Sequence, residues 1–209
     1  MNRNKIAVIV VFIFGFFLFY FGTDGFQAFT AETARTNKLI EEQPKFPEVT
    51  LEDSKERVYP FSEFQGKYVM LTFIYTACTD VCPEMEMNLY EVYEQIPEQY
   101  IGEDIMFLSI SFDPENDDPE TLERYRSFFR SDGETWRMAR ITDKNELQNL
   151  LDEFGVIVIP DGNGHFTHNS AFYLVDREGF LVEVMDYQKT DEAAEKVTNI
   201  LKENEEDAS

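Results

Sequence analysis

The chain has 209 residues, enough for one ordinary domain and a targeting segment and too few for two full domains. Hydrophobic residues at 43% and aromatics at 15%, with 20 phenylalanines, supply a core and exclude a disordered chain. A formal net charge of -23 repels nucleic-acid phosphates and anionic lipid headgroups and so excludes both as partners of the domain; the acidity reads first as a solvated surface, with a docking face for a basic partner as the alternative.

Residues 6–22 are almost wholly apolar and follow Arg3 and Lys5. At 17 residues the run lies at the lower limit of the ~17–25 needed to span a bilayer, and its basic flank belongs inside. Residues 27–34 offer no clean small-x-small cleavage site, and no cysteine follows the run. The expectation is an uncleaved transmembrane anchor: 1–5 in the cytoplasm, 6–22 in the membrane, 23–45 a polar tether without hydrophobic periodicity, 46–203 a folded domain outside, and 204–209 an acidic tail.

Within the domain, 68–75 is a continuous apolar run rich in β-branched and aromatic residues, which predicts a buried central strand. Met85, Leu89, Val92 and Ile96 then recur at helical spacing, and Pro83 suits the opening of that helix. Residues 105–112 predict a second buried strand, 118–129 a helix, and 143–154 a third helix stopped by Gly155. Pro160, Gly162 and Gly164 make 156–167 a loop. A hairpin follows, from 170–175 and 180–185 around a turn at 176–179, and then a closing helix over 191–202. The order predicts an α/β fold with a mainly parallel sheet covered on both faces.

The only cysteines, Cys78 and Cys82, stand four positions apart where the first buried strand gives way to a helix. Helix-start N–H groups favour thiolates there, and the i, i+4 spacing permits either a disulfide or shared metal ligation. A disulfide closing so short a loop stabilises little, on the order of 2 kcal/mol. A redox or metal role is therefore the better reading. Glu84 and Glu86 read as helix-start charges, Met85 as core, Met87 as lying off the apolar face, and Asp80 either as an acidic loop residue or as a group that tunes the site.

The run Phe73-Ile-Tyr-Thr-Ala-Cys-Thr-Asp-Val-Cys-Pro83 is similar to the cysteine motif of the Sco/SenC family. Leu108-Ser-Ile-Ser-Phe-Asp-Pro114 is similar to its next strand and Asp-Pro turn, and His168-Asn-Ser-Ala-Phe-Tyr-Leu-Val-Asp176 to its third motif. Thr79 stands where many members have proline, and His165 is a second histidine three residues before His168. The resemblance implies a thioredoxin-like fold and one copper ion, Cu(I) or Cu(II), held by Cys78, Cys82 and His168. It further implies delivery of that copper to the copper-receiving subunit of cytochrome c oxidase. His165 reads as a solvated loop histidine.

Two sulfurs and an imidazole agree with that ligand set, because soft donors select Cu(I) while zinc normally takes four ligands in a structural site. The alternative is a membrane-anchored thiol-disulfide oxidoreductase that reduces the receiving subunit's cysteines, uses Cys78 and Cys82 as its redox pair and needs a reductant for their disulfide. The three residues between the cysteines, rather than two, weigh against a general disulfide catalyst. A peroxiredoxin pattern would need Pro and Thr where Leu71 and Tyr75 stand.

Overall fold

The computed structural model describes residues 3–22 and 30–207, so the expected leader residues 1–2, the first part of the tether and the end of the acidic tail lie outside it. The chain divides into two units, Met1–Glu42 and Gln43–Ser209. The first holds helices α1, Arg3–Gly22, and α2, Ala31–Glu42. Helix α2 lies within the stretch 23–45 expected to be a polar tether. Among the described residues no helix is long and apolar enough to cross a membrane.

The second unit runs β1 Thr50–Asp53, β2 Val58–Pro60, β3 Tyr68–Ile74, α3 Val81–Gln95, β4 Ile105–Ser111, α4 Pro119–Arg126, β5 Trp136–Arg140, α5 Lys144–Glu153, β6 Val158–Pro160, β7 Phe166–His168, β8 Phe172–Val175, β9 Leu181–Met185 and α6 Thr190–Asp207. Seven strands form one sheet in the order β2-β1-β5-β4-β3-β8-β9. Only β3 with β4 and β4 with β5 are parallel; the other four pairings are antiparallel. The expected mainly parallel sheet is thus corrected to a mixed one. Helices α3 and α4 supply the crossovers that parallel pairing demands, whereas β1–β2 and β8–β9 are joined by tight turns that permit only antiparallel pairing.

All seven residues of β3 and all seven of β4 are buried, as strands covered on both faces must be. Neighbours on β3 identify the two layers. Thr72 Oγ1 donates to Met85 Sδ of α3 at 3.0 Å, while Phe73 meets Phe154, the residue that ends α5, with ring centroids 6.4 Å apart. Successive strand residues point to opposite faces, so α3 and α5 lie on opposite sides of the sheet. On the α5 side Phe46, Phe61, Phe73, Phe154 and Tyr173 pack edge-on and stacked. On the α3 side Tyr93 meets Phe107 and Trp136.

Helix α3 buries Met85, Leu89 and Val92, the stripe its spacing predicts, and leaves Met87 exposed. It begins at Val81, earlier than Pro83, which stands in the first turn where no backbone donor is required. The stretch expected to be a loop over 156–167 instead contains the two-stranded sheet of β6 and β7, with Val158 opposite His168 and Pro160 opposite Phe166. Pro160 sits at the end of its strand, next to the turn made by Gly162 and Gly164, both with positive φ.

Candidate metal centre

The cysteine segment is fixed where β3 ends. The Thr76 N–H and hydroxyl both donate to the Asp117 carboxylate, at 3.0 and 2.5 Å, and Ser111 Oγ at the end of β4 donates to the same carboxylate at 2.5 Å. The Cys78 N–H donates to the Tyr75 carbonyl at 3.2 Å. Asp80 occupies the N-cap position of α3 without a capping bond from its side chain. The sulfur of Cys78 takes that part, accepting the N–H of Cys82 at 3.3 Å. A helix start presents unsatisfied N–H groups, and the Cys78 sulfur satisfies one of them.

The third side chain comes from β7. Asn169, just after it, accepts from the Ile157 N–H at 2.6 Å and donates to the Gly155 carbonyl at 3.3 Å, which ties the open end of the small sheet, where β6 begins and β7 finishes, to the segment just after α5. His168 Nδ1 lies 3.0 Å from the Asn169 carbonyl oxygen. With the proton on Nδ1, the Nε2 lone pair is left free, and Nε2 stands 3.4 Å from Cys82 Sγ. The imidazole packs against Phe112 and Tyr75 at centroid distances of 5.0 and 6.3 Å. One ligand atom from each of Cys78, Cys82 and His168 lies within 4.8 Å of the others.

Burial keeps the His168 imidazole and the Cys82 thiol uncharged in the metal-free site. Burial holds the His168 imidazole below its ordinary pKa, so the nitrogen is available as a lone-pair donor. Burial also pushes the Cys82 thiol far above the ordinary range. This reverses the lowering expected from the helix start, since Cys82 is fully buried in the first turn. A cation between the sulfurs compensates that cost, and its binding expels the thiol proton. The donor set itself, two sulfurs and one imidazole, fits a soft ion such as Cu(I).

Of the residues singled out from sequence, Cys78, Cys82 and His168 converge. His165 does not join them: it is exposed near the turn of the small sheet and borders the open cleft beside the cysteines, as does Asp80. Glu84 is an exposed first-turn charge. Glu86 is not, because its carboxyl is fully buried, accepts from Ser109 Oγ at 3.0 Å and has one oxygen without a hydrogen-bond partner. Tyr75, Phe112, Asp117 and Asn169 went unrecognised as parts of the site. Their roles depend on contacts across the fold, and only the position of Tyr75 three residues before Cys78 hinted at one.

Residues 37–202 match the family model described as SCO1/SenC. The chain is similar to the SCO1 protein homolog of Bacillus subtilis, 26% identical over 132 residues covering 62% of this chain and 67% of that protein. It is similar to Bradyrhizobium japonicum ScoI solved with copper bound, at 26% identity and a TM-score of 0.63, over 76% of this chain and 98% of that one. The fold also matches that of BsSco, described as a member of the Sco family of cytochrome c oxidase assembly proteins, with a TM-score of 0.65 at 22% identity over 75% and 93% of the two chains. A thioredoxin-like mixed sheet, two cysteines on its strand-to-helix turn and a histidine carried in from a separate strand pair meet in one place, and the chain belongs to the SCO1/SenC family.

Proposed function

We propose that this protein binds one copper ion through Cys78, Cys82 and His168 and hands it to the copper-receiving subunit of cytochrome c oxidase during assembly of the dinuclear copper centre. The observation that carries the reading is the convergence of two sulfurs and one imidazole nitrogen within 4.8 Å. Three ligands hold copper while leaving a coordination position through which an acceptor's donor can enter. The cleft bordered by Cys78, Asp80 and His165 gives that donor an approach. The copper-bound ScoI relative and the oxidase-assembly description of BsSco support the same cargo and destination.

The location we propose is the outer face of the cytoplasmic membrane. What supports it is the apolar run at 6–22 behind Arg3 and Lys5 in the sequence. Protease added to intact spheroplasts would digest a domain so placed and spare one in the cytoplasm.

A second reading, thiol reduction of the receiving subunit, draws on the closeness of the two sulfurs and on both cysteines being free. Cys82 is fully buried and Cys78 only half-buried, so Cys78 would attack and Cys82 resolve. The deciding experiment incubates the copper-loaded full chain, then its reduced metal-free form, with the purified metal-free receiving domain. Copper appearing in the acceptor at one equivalent per chain supports delivery. Acceptor thiols appearing without copper uptake would replace delivery with reduction.

A further inference from the structure

Tyr75 touches both halves of the metal centre. Through its backbone it belongs to the cysteine side: it follows the last residue of β3, and its carbonyl accepts the Cys78 N–H at 3.2 Å. Through its side chain it belongs to the histidine side, because its hydroxyl oxygen accepts the Phe166 N–H of β7 at 3.3 Å. Its ring meets Phe166 edge-on at 5.1 Å and His168 edge-on at 6.3 Å. The side chain is buried, with 3% exposure, so the phenol is held in place by packing as well as by its polar end.

The small sheet that carries His168 has few other ties to the body of the domain. Its strands pair only with each other and join none of the seven strands of the main sheet. Asn169 anchors its open end, where β6 begins and β7 finishes, to the segment just after α5. Along β7, the Tyr75 hydroxyl and the contacts of Phe166 and His168 with Phe112 fix how near the strand comes to the cysteines. These contacts are what hold β7 to the cysteine side of the site, so loosening them frees the strand on which His168 stands.

We propose that Tyr75 is the positioning residue that latches the His168 strand pair over Cys78 and Cys82, so that the phenol sets how firmly the third ligand is held and how readily the site opens to give up its ion. The inference rests on the copper reading above for its cargo, but the latch itself is a property of the metal-free chain. Release of the phenol hydroxyl would let β7 lift with His168 while both sulfurs stay in place. An ion to be passed on would then remain on two thiolates as the acceptor's donor arrives.

Tyr75→Phe removes the hydroxyl and keeps the ring, so the packing core is spared. Two measurements on the full chain test the proposal. In the metal-free protein, amide hydrogen exchange at Phe166 should quicken by roughly three- to tenfold in Y75F, the range expected from losing one net hydrogen bond. In the copper-loaded protein, loss of copper to a chromogenic chelator should quicken by a similar factor, and that acceleration should vanish when Tyr75→Phe is made in a His168→Ala background. Equal acceleration with and without His168 would overturn the proposal, since the tyrosine would then act on the cysteines or the fold at large. So would unchanged exchange at Phe166. If the parent chain binds no copper, the delivery reading falls, while Phe166 exchange still decides the latch.

Discussion

Cys82 Sγ and His168 Nε2 stand 3.4 Å apart although 86 positions separate them in the chain. The contact exists because β3 and the separate β6–β7 pair deliver their ends to one point, and it makes His168 removable without touching the sulfurs. His168→Ala is therefore expected to keep copper on two thiolates but to bind it at least ~10–100-fold more weakly, the cost already seen when only a ligand's outer partner is lost. Competition with a calibrated chelator measures this. Cys78→Ser should abolish tight binding, because a hydroxyl is a poor donor for a soft ion. Equal affinities for the parent and H168A would remove the histidine from the site.

His168 also carries a pH signature. Burial lowers its pKa, so between the folded value and the ordinary ~6.5 the unfolded chain holds a proton that the folded chain does not. The stability linked to this group is complete above the ordinary pKa and is lost as pH falls through the window ending at the folded one. Proton NMR of the imidazole in the metal-free protein is expected to give a midpoint below 6.5. A His168 midpoint above that of an ordinary histidine would contradict the neutral donor described here.

The parts of the fold that could be read in advance are those where one physical demand dominates. Strands β3 and β4 are buried on both faces and so are uniformly apolar, and α3 shows its stripe because one side alone meets the sheet. Strand β5 hides its nature: Arg137 and Arg140 form ion pairs with Glu63 and Glu52, so its sequence does not look like that of a strand next to the centre of a sheet. Strands β6 and β7 are hidden by Pro160, Gly162 and Gly164, which belong to their ends and turn. The three converging side chains were legible because cysteine and histidine are scarce in this chain. The residues that aim them were not, since tyrosine, phenylalanine, aspartate and asparagine are common and acquire their roles only through contacts made in the folded state.

Asp117 is one such residue. Its carboxylate gathers Thr76 N–H, Thr76 Oγ1 and Ser111 Oγ, joining the cysteine segment to the end of β4. Asp117→Ala leaves these donors without their shared acceptor at a position where Asp117 and Ser111 are buried, and the loss of stability expected is about 2–4 kcal/mol. Urea denaturation of the metal-free protein checks the figure. Because Thr76 lies two residues before Cys78, the same variant should also lose copper faster than the parent does. A change under ~0.5 kcal/mol would mean that water replaces the carboxylate at little cost.

Glu86 gives the last prediction, and its sign is opposite to that of His168. Its carboxyl lies fully buried on α3, where Oε2 accepts from Ser109 Oγ, itself bonded by Trp136 Nε1 at 3.1 Å, and Oε1 has no hydrogen-bond partner. Burial pushes its pKa from 4.5 up to about 8, so the folded chain keeps a proton that the unfolded chain gives up near pH 4.5. The stability linked to this proton is full below the unfolded pKa and drains away as pH rises through the folded one, on the order of a few kcal/mol in all. Glu86→Gln is nearly the shape of the protonated acid and cannot ionise. Chemical denaturation from pH 5 to pH 9 should find the parent losing stability relative to E86Q as pH rises, with the difference levelling off above the folded pKa. Parallel profiles would mean that the carboxyl is ionised inside the fold with a counter-charge or water beside it, and that the buried neutral acid described here is wrong.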